Sequence, residues 1–304
     1  MRRFRGFDTD SDRWNEFEFR EGDIVISSPM KAGTTWTQMI CALLIFQTPE
    51  LPAPLGVLSP WLDMQTRPIA DVVADLDGQT HRRFIKTHTP LDCLPIPGGV
   101  TVIGVGRHPL DLARSAARHS ANISFERAFQ LVSAQIGEDE TINLLAGRPV
   151  PDQDPVARVR FFLDEDHPAD VALTLAGVIE HYRGFVTAGA SVVRVHYSDL
   201  MADRAREMRR LATALGIEVD ESRWPALVAA AEFGAMKRRA AELVPDAGVG
   251  LIADAEAFFA VAGEGEWRSE LAPELVARFN ERLSQLDPNA EIAEWAQYGL
   301  YSSP

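Results

Sequence analysis

The sequence of 304 residues predicts a single α/β domain, residues 1–304, in which helices flank a central parallel sheet. Two observations predict this fold class. Short apolar segments at 24–26, 83–87, 100–105 and 191–196 alternate with segments of helical pattern, as in parallel sheets built with helical crossovers. Each apolar segment is also followed by polar residues. That placement is typical of a ligand site along the carboxyl edge of a parallel sheet.

Composition narrows the function classes. The 46% hydrophobic content is that of an ordinary globular protein, and the formal net charge of −14 argues against nucleic acid or an anionic membrane surface as a partner. Cys41 and Cys93 are far apart and lack CxxC spacing, so neither a disulfide framework nor a zinc site is indicated. The basic start is followed by Asp8 instead of an apolar run, and the run at 39–46 is too short to span a bilayer. We therefore predict a cytoplasmic protein without stable membrane insertion.

The first strand, loop and helix contain the most distinctive stretch. An irregular arm at 1–22 precedes the strand at 24–26, which leads into the polar loop 27–36 and a helix predicted over 37–46. A tight turn is indicated within the loop, whose backbone N–H groups and following helix N-terminus present partial positive charge. The residues that shape or line this turn are Pro29, Lys31, Gly33, Thr34 and Thr35. The stretch predicts a P-loop-like site for a phosphate-like anion.

The position of the lysine separates this loop from a Walker P-loop. In a Walker loop the lysine directly follows the last glycine, whereas Lys31 precedes Gly33 by two residues. This order argues against an ordinary ATP or GTP hydrolase. A Lys-Gly turn that ends at a helix and binds no ligand is the simpler alternative, because such turns are frequent.

The second predicted strand ends in a polar cluster. The proline-rich segment 49–60 is predicted as loop and 61–76 as a short helix. The strand at 83–87 then leads into Lys86, Thr87 and His88. Lys86 and His88 are two residues apart and therefore lie on the same side of an extended strand end.

The third strand repeats the pattern of strand, polar turn and helix. Pro109 suits the first position of a helix that runs to about His119. The less regular segment 120–172 is interpreted as an insertion that covers a site as a lid, with solvated surface as the alternative.

The last part of the chain supplies the fourth strand and its helices. A helix is predicted over 173–188, and Tyr197 follows the fourth strand. Asp203 is predicted to cap a helix that Gly216 terminates, and the alanine-rich stretch 226–241 is predicted as helix.

Four stretches in order along the chain carry a family resemblance. They are 28–36, 84–95, 107–115 and 258–268. They resemble, respectively, the 5′-phosphosulfate loop, the catalytic Lys-Thr-His segment, the 3′-phosphate element and the C-terminal phosphate-binding motif of the cytosolic sulfotransferase family, here as a bacterial-type member. Together they span nearly the whole chain, and their order makes the match more specific than any single loop.

The resemblance implies transfer of a sulfuryl group from 3′-phosphoadenosine 5′-phosphosulfate (PAPS) to a hydroxyl of a small-molecule or lipid acceptor. Lys31 and Lys86 are then expected to neutralise charge on the leaving and transferring groups, and His88 to accept the hydroxyl proton as general base. The lysines supply the positive charge that magnesium supplies in kinases, so this scheme requires no metal.

The resemblance also implies a donor-binding set. Arg107 and Ser115 are expected to hold the 3′-phosphate, Trp36 and Phe233 to enclose the adenine, and Tyr197 to reach it. The remaining donor-binding residues implied by the loop and the C-terminal motif are Lys31, Ala32, Gly33, Thr34, Thr35, Gly265, Trp267 and Arg268.

The C-terminal motif departs from the family pattern. The family usually has Arg-Lys-Gly where this chain has Ala260, Val261 and Ala262, so two cationic contacts to the 3′-phosphate are absent. The arginines that could replace them are Arg114, Arg239 and Arg268.

Two alternatives and the acceptor stay open at this stage. The alternatives are a small-molecule kinase that uses Lys31 and a non-catalytic nucleotide-binding protein. The acceptor cavity is expected between 49–64, 120–172 and 245–258, with an apolar wall around Leu251. Lipid, steroid-like, phenolic and glycolipid alcohols all fit that description, and the oligomeric state, including a homodimer, is not decided.

Overall fold

The central element of the fold is a parallel β-sheet with helices packed on both of its faces. A computed structural model describes residues 1–150, 152, 154–244, 249–259 and 263–301. Within them, one sheet contains strands β1 Ile24–Ser27, β2 Phe84–Thr87, β3 Thr101–Gly106 and β4 Val192–His196 in the spatial order β2-β1-β3-β4. Ile24 of β1 pairs with Phe84 of β2 and with Thr101 of β3. The predicted fold class is therefore confirmed.

Helices cover both faces of this sheet. Among the described residues the α-helices are α1 Thr34–Phe46, α2 Leu55–Leu58, α3 Ile69–Asp77, α4 Pro109–Ser120, α5 Phe125–Ile136, α6 Glu138–Leu145, α7 Pro155–Asp164, α8 Leu175–Thr187, α9 Tyr197–Ala202, α10 Arg204–Ala214, α11 Trp224–Ala230, α12 Phe233–Arg238, α13 Ala240–Leu243, α14 Ala255–Phe258, α15 Trp267–Glu270, α16 Pro273–Leu286 and α17 Glu291–Tyr298. Short 3₁₀ helices lie at Ser11–Glu16, Leu91–Cys93 and Gly189–Ser191.

Alternate strand residues divide the core between the two faces. Ile24 and Ile26 of β1 lie in a cluster with α1 and α10, whereas Val25 packs on the opposite side with Trp14 of the N-terminal arm. Val102 of β3 joins a further cluster with α8, α16 and α17. Because both faces are covered, the strands are largely apolar, as the sequence indicated; the charged exceptions are Lys86 in β2 and Arg194 in β4.

The structure corrects the bounds of three predicted helices. Helix α1 begins at Thr34, three residues before the predicted start, because Gly33 in a left-handed conformation already ends the loop. In the segment 61–76 the helix starts only at Ile69, since Pro68 holds an extended backbone before it. The stretch 226–241 is divided among α11, α12 and α13, because the backbone is extended at Glu232.

The segment 120–172 was expected to be irregular, and it instead contains α5, α6 and α7. Its assignment as an insertion or lid, and the assignment of 1–304 to a single domain, stay predictions. The predicted cap at Asp203 is confirmed, since its side chain accepts a hydrogen bond from the N–H of Arg206. No helix in the described ranges is long and apolar enough to cross a bilayer.

The sheet places the polar residues of four separate stretches at one edge. In each case the chain leaves the sheet at the carboxyl end of a parallel strand, so Ser28, His88, Arg107 and Tyr197 follow β1, β2, β3 and β4 at the same edge. Cys41 is buried in the core as a free thiol, as expected for a packing residue.

Candidate active site

The loop between β1 and α1 forms an anion-binding turn. Gly33 has φ +112°, and a side-chain Cβ at this position would lie 3.2 Å from Cδ2 of Tyr197. Lys31 also adopts positive φ, at +68°, which is unusual for a residue with a side chain. No side chain caps the start of α1, so its first N–H groups remain available to an anion.

A cavity of about 180 Å³, here called the main cavity, lies at the carboxyl edge of the sheet. It brings together most of the predicted residues from all four strand ends. The predicted residues that line it are Lys31, Gly33, Thr34, Thr35, Trp36, Lys86, His88, Arg107, Ser115, Tyr197 and Phe233.

Positive charge is concentrated in the main cavity although the chain as a whole is acidic. Lys31 Nζ lies 4.2 Å from the ring centroid of Phe258, and Lys86 Nζ lies 4.1 Å from that of Trp61. Burial lowers the pKa of Lys31 to about 8, and the nearby charges of Arg107 and Lys86 act in the same direction. Mutual repulsion among these cations is relieved when an anion binds between them, so the cavity favours an anionic ligand.

His88 is held as a neutral base. Its Nδ1 lies 2.8 Å from the carbonyl oxygen of Ser28. A carbonyl only accepts, so Nδ1 carries the proton and the Nε2 lone pair is left to accept another. Burial lowers the pKa of His88 to about 3, with Lys86 and Lys31 adding to the shift and the hydrogen bond to Ser28 opposing it. The ring borders the main cavity and keeps some exposure there, yet protein atoms surround the rest of it.

A buried carboxylate fixes the end of β2. Asp63 Oδ2 accepts hydrogen bonds from the hydroxyls of Thr87 and Thr89 and from Nε1 of Trp14. Burial raises the pKa of Asp63, and these three hydrogen bonds oppose that shift. The network holds the backbone on both sides of His88. Asp63 has no local signal in the sequence, because its partners lie in the arm, at the last residue of β2 and just after β2.

Arg107 joins the loop to the third strand. Its backbone N–H donates to the hydroxyl of Tyr182 at 2.8 Å, and its guanidinium donates to the carbonyls of Lys31 at 3.2 Å and Gly263 at 2.8 Å. The guanidinium also lies 4.2 Å from the ring centroid of Tyr197. Its buried Nε has no hydrogen-bond partner among the described residues. An orphaned donor beside Lys31 fits a negatively charged ligand.

A smaller cavity of about 40 Å³ adjoins the main cavity and shares Lys31, Arg107, Ser115 and His119 with it. Arg114 and Arg118 also line this small cavity. Its four cations outnumber the two carboxylates in its lining, Asp111 and Glu266, so its net positive charge and its size suit one phosphate group. Ser115 and Arg107 therefore lie together, as the resemblance implied.

The three arginines proposed to replace the missing cations have different positions. Arg114 lines the small cavity, where it forms ion pairs with Glu266 at 3.0 Å and Glu270 at 2.5 Å. Arg239 instead binds Glu242 and a loop carbonyl elsewhere on the molecule, and Arg268 is exposed. The substituted positions Ala260, Val261 and Ala262 lie outside the described residues.

Four predicted donor-binding residues do not line either cavity. Ala32 is buried in the core. The N–H of Gly265 donates to Asp111 Oδ2 at 2.9 Å, and Trp267 stacks on His108 with 4.7 Å between ring centroids. Arg268 lies over the Trp267 ring. The last three therefore lie outside the lining of the small cavity, although their chain neighbours Gly263 and Glu266 belong to it.

The aromatic residues implied for adenine binding lie on the same side of the main cavity. Trp36 packs edge to face with Tyr197 at 5.1 Å between centroids, and its Nε1 donates to the carbonyl of Ala231 at 2.9 Å. Phe233 contacts Phe259 and shares the cavity lining with Trp36.

Comparison with known proteins decides the family. A model described as a sulfotransferase domain matches residues 21–289, which is most of the chain. The chain belongs to the sulfotransferase family. A glycolipid sulfotransferase of Mycobacterium tuberculosis is 38% identical over 307 residues, covering 97% of this chain and 94% of that protein. A glycolipid sulfotransferase of Mycobacterium bovis is also 38% identical, over 311 residues with the same coverage.

Solved structures show the same fold. A mouse sulfotransferase complexed with PAP has a TM-score of 0.65 at 19% identity and covers 92% of this chain and 90% of its own. A retinol dehydratase in complex with androsterone and PAP has a TM-score of 0.68 at 17% identity, covering 93% and 87%. The family model and the mycobacterial relatives, not the fold alone, make the chain a sulfotransferase enzyme, and they do not support the kinase alternative based on Lys31.

Two residues of the sulfotransferase site were missed in the sequence. The sequence placed Trp61 in a predicted helix and in the expected acceptor-pocket segment 49–64, without a role beside the lysine. In the structure it covers Lys86 and lies 4.7 Å from His88 between ring centroids. His119 was assigned only to a helix end, but it lines both cavities against Phe258. A lone aromatic residue or histidine has no spacing signal, so neither could be found before the fold was known.

Proposed function

We propose that this sulfotransferase takes its sulfuryl group from PAPS and transfers it to a hydroxyl of an amphipathic organic acceptor. The observation that carries the proposal is the neutral His88 beside two lysines at the ends of neighbouring strands. A base, charge stabilisation and an anion-binding loop are the parts that sulfuryl transfer needs.

The proposed donor position follows the cavity lining. The loop from Lys31 to Thr35 holds the 5′-phosphosulfate, and Arg107 with Ser115 holds the 3′-phosphate in the small cavity. Trp36, Tyr197 and Phe233 surround the adenine. The PAP in the solved sulfotransferase structures supports a donor of this class.

In the proposed reaction the acceptor oxygen forms a bond to sulfur while the bond from sulfur to the bridging oxygen of the donor breaks. The hydroxyl proton passes to Nε2 of His88, and the leaving group is 3′,5′-ADP. Lys31 neutralises the charge that develops on the leaving phosphate, and Lys86 that on the transferring group. Positioning and charge stabilisation of this kind carry most of the catalysis in the related phosphoryl transfers.

The proposed acceptor has an apolar part. Beyond His88, the main cavity is lined by apolar side chains from several elements, which are Met64, Ile123, Ala128, Leu251 and Ile252. The names of the mycobacterial relatives point to a glycolipid as the acceptor class. We further propose that the enzyme works in the cytoplasm and needs no metal.

The donor part is tested by calorimetric titration with 3′,5′-ADP and with 5′-AMP, which lacks the 3′-phosphate. Tight binding of 3′,5′-ADP with at least tenfold weaker binding of 5′-AMP is expected. Lys86→Met and His88→Asn should retain this binding and lose turnover, whereas Lys237→Met is a matched lysine control outside both cavities. Equal affinity for the two nucleotides would contradict the donor assignment. Tight binding without transfer to any acceptor would favour the non-catalytic alternative.

A further inference from the structure

A third cavity, also about 180 Å³, meets the main cavity beside the catalytic histidine. We call it the arm cavity because Phe4, Gly6 and Thr9 of the N-terminal arm line it. The residues shared by the two cavities are Asp8, Met30, Trp61 and His88. His88 therefore lies where the two cavities meet, and an acceptor hydroxyl at His88 has space on both sides.

The two cavities differ in their charged groups. The far part of the main cavity is apolar, around Leu251 and Ile252. The arm cavity has an apolar wall too, but it contains the guanidinium of Arg148 and the carboxylates of Asp8 and Asp170. Asp8 lies in the arm, Arg148 follows α6 and Asp170 precedes α8, so only the fold brings the three groups together.

Arg148 is desolvated without a direct partner. Its side chain is half-buried, and among the described residues Asp8 and Asp170 act on it as charges without a hydrogen bond to it. Burial lowers the pKa of Arg148, while the charges of Asp8 and Asp170 oppose that shift from a distance. The carboxylates have few donors of their own, namely the Thr9 hydroxyl at 3.2 Å from Asp8 Oδ1 and the N–H of Arg5 at 3.4 Å from Asp170 Oδ2.

The arrangement selects a neutral ligand that both donates and accepts hydrogen bonds. A simple anion is disfavoured by the two carboxylates, and a simple cation is disfavoured by the guanidinium together with Lys86 and Lys31, whose charges act on His88 at the mouth of this cavity. A hydrocarbon would add no hydrogen bond to the guanidinium and would leave each carboxylate with the one long hydrogen bond just named, which is costly at a half-buried site. Neighbouring hydroxyl groups can accept from the guanidinium and donate to the carboxylates at the same time.

On this basis, which rests on the proposed function, we propose that the arm cavity binds the sugar-like polyol part of the acceptor. The hydrocarbon part then occupies the apolar side of the main cavity, and the sulfated hydroxyl lies at the boundary between the two parts, next to His88. Arg148, Asp8 and Asp170 determine specificity for the polyol.

The test compares two acceptors with the same alkyl chain, octyl β-glucoside below its critical micelle concentration and 1-octanol. For the wild type, kcat/KM is expected to be higher for the glucoside. Arg148→Met and Asp170→Asn should each lower the ratio of kcat/KM for the glucoside to that for octanol at least tenfold. Arg209→Met, an exposed arginine paired with Glu221, is the matched control and should leave that ratio unchanged.

If turnover is slow, calorimetry can compare the affinities of the two acceptors for the complex of the enzyme with 3′,5′-ADP. The glucoside should bind more tightly than octanol, and Arg148→Met should remove that preference. Equal wild-type affinity for both acceptors, or an unchanged ratio in Arg148→Met, would overturn the polyol site. Transfer to octanol alone would overturn it while leaving the proposed function intact. Failure of 3′,5′-ADP to bind would instead count against the proposed function.

Discussion

The protonation state of His88 gives a quantitative prediction for the dependence of the rate on pH. A histidine with the ordinary pKa of about 6.5 is roughly nine-tenths protonated at pH 5.5, so a rate that needs its neutral form would fall about tenfold between pH 7.5 and 5.5. Burial, Lys86 and Lys31 lower the pKa of His88 to about 3. At that value the neutral form exceeds the protonated form by roughly 300 to 1 at pH 5.5.

We therefore expect kcat/KM for the acceptor to change less than about twofold between pH 7.5 and 5.5. The assay uses saturating donor; the bound anion offsets the effects of Lys86 and Lys31 on the pKa of His88 and leaves burial, the largest cause of the shift, in place. Circular dichroism verifies the fold at each pH. His88→Asn should lower the rate by about 10² to 10⁴ across the whole range, as expected for loss of a general base. An acid limb with a midpoint between pH 6 and 7 that disappears in His88→Asn would refute the neutral, desolvated base.

Three further predictions follow from the loop and the buried histidines. Because the pKa of Lys31 is lowered to about 8, kcat/KM for the donor should fall as pH rises above 8. Lys31→Arg should move that decline to higher pH, and an unchanged pH profile in the variant would contradict the role of Lys31 in donor binding. Gly33→Ala places a Cβ 3.2 Å from Tyr197 at φ +112°, so calorimetry should show affinity for 3′,5′-ADP reduced about tenfold or more, and unchanged affinity would count against the loop geometry. Burial lowers the pKa of His181 to about 3 and that of His196 to about 4 in the folded state, so the unfolded state takes up protons first as pH falls. The stability that these histidines contribute is full above pH 6.5 and is lost below it, by about 2 kcal/mol per histidine at pH 5. An equal urea midpoint at pH 7 and pH 5 would contradict this.

Local patterns predicted the sheet and the ends of its strands. The apolar segments that became β1 to β4 are buried on both faces, and such strands have a clear sequence signal. The position of Lys31 before Gly33, together with three later motifs, was sufficient for the family. The start of α1 at Thr34 was missed because helix ends depend on the conformation of one residue, here Gly33.

Contacts between distant stretches could not be predicted in the same way. Asp63 supports β2 through partners that lie 24, 26 and 49 residues away along the chain. Trp61 and His119 were recognisable only once the strand ends had been placed together. The C-terminal motif was found, but in the structure Trp267 stacks on His108 and the N–H of Gly265 donates to Asp111, because a motif does not specify which of its side chains face the ligand.

Sulfuryl transfer from PAPS with His88 as the base is tested most directly by an assay with sulfur-labelled PAPS as donor and octyl β-glucoside as acceptor. The assay measures how much label passes from the donor to the acceptor. The wild type and Lys237→Met should each form one labelled sulfate ester for every 3′,5′-ADP released. His88→Asn should bind 3′,5′-ADP normally and form ester at least a hundredfold more slowly. Ester formation by His88→Asn at the wild-type rate, or donor cleavage without any ester from the wild type, would contradict the account.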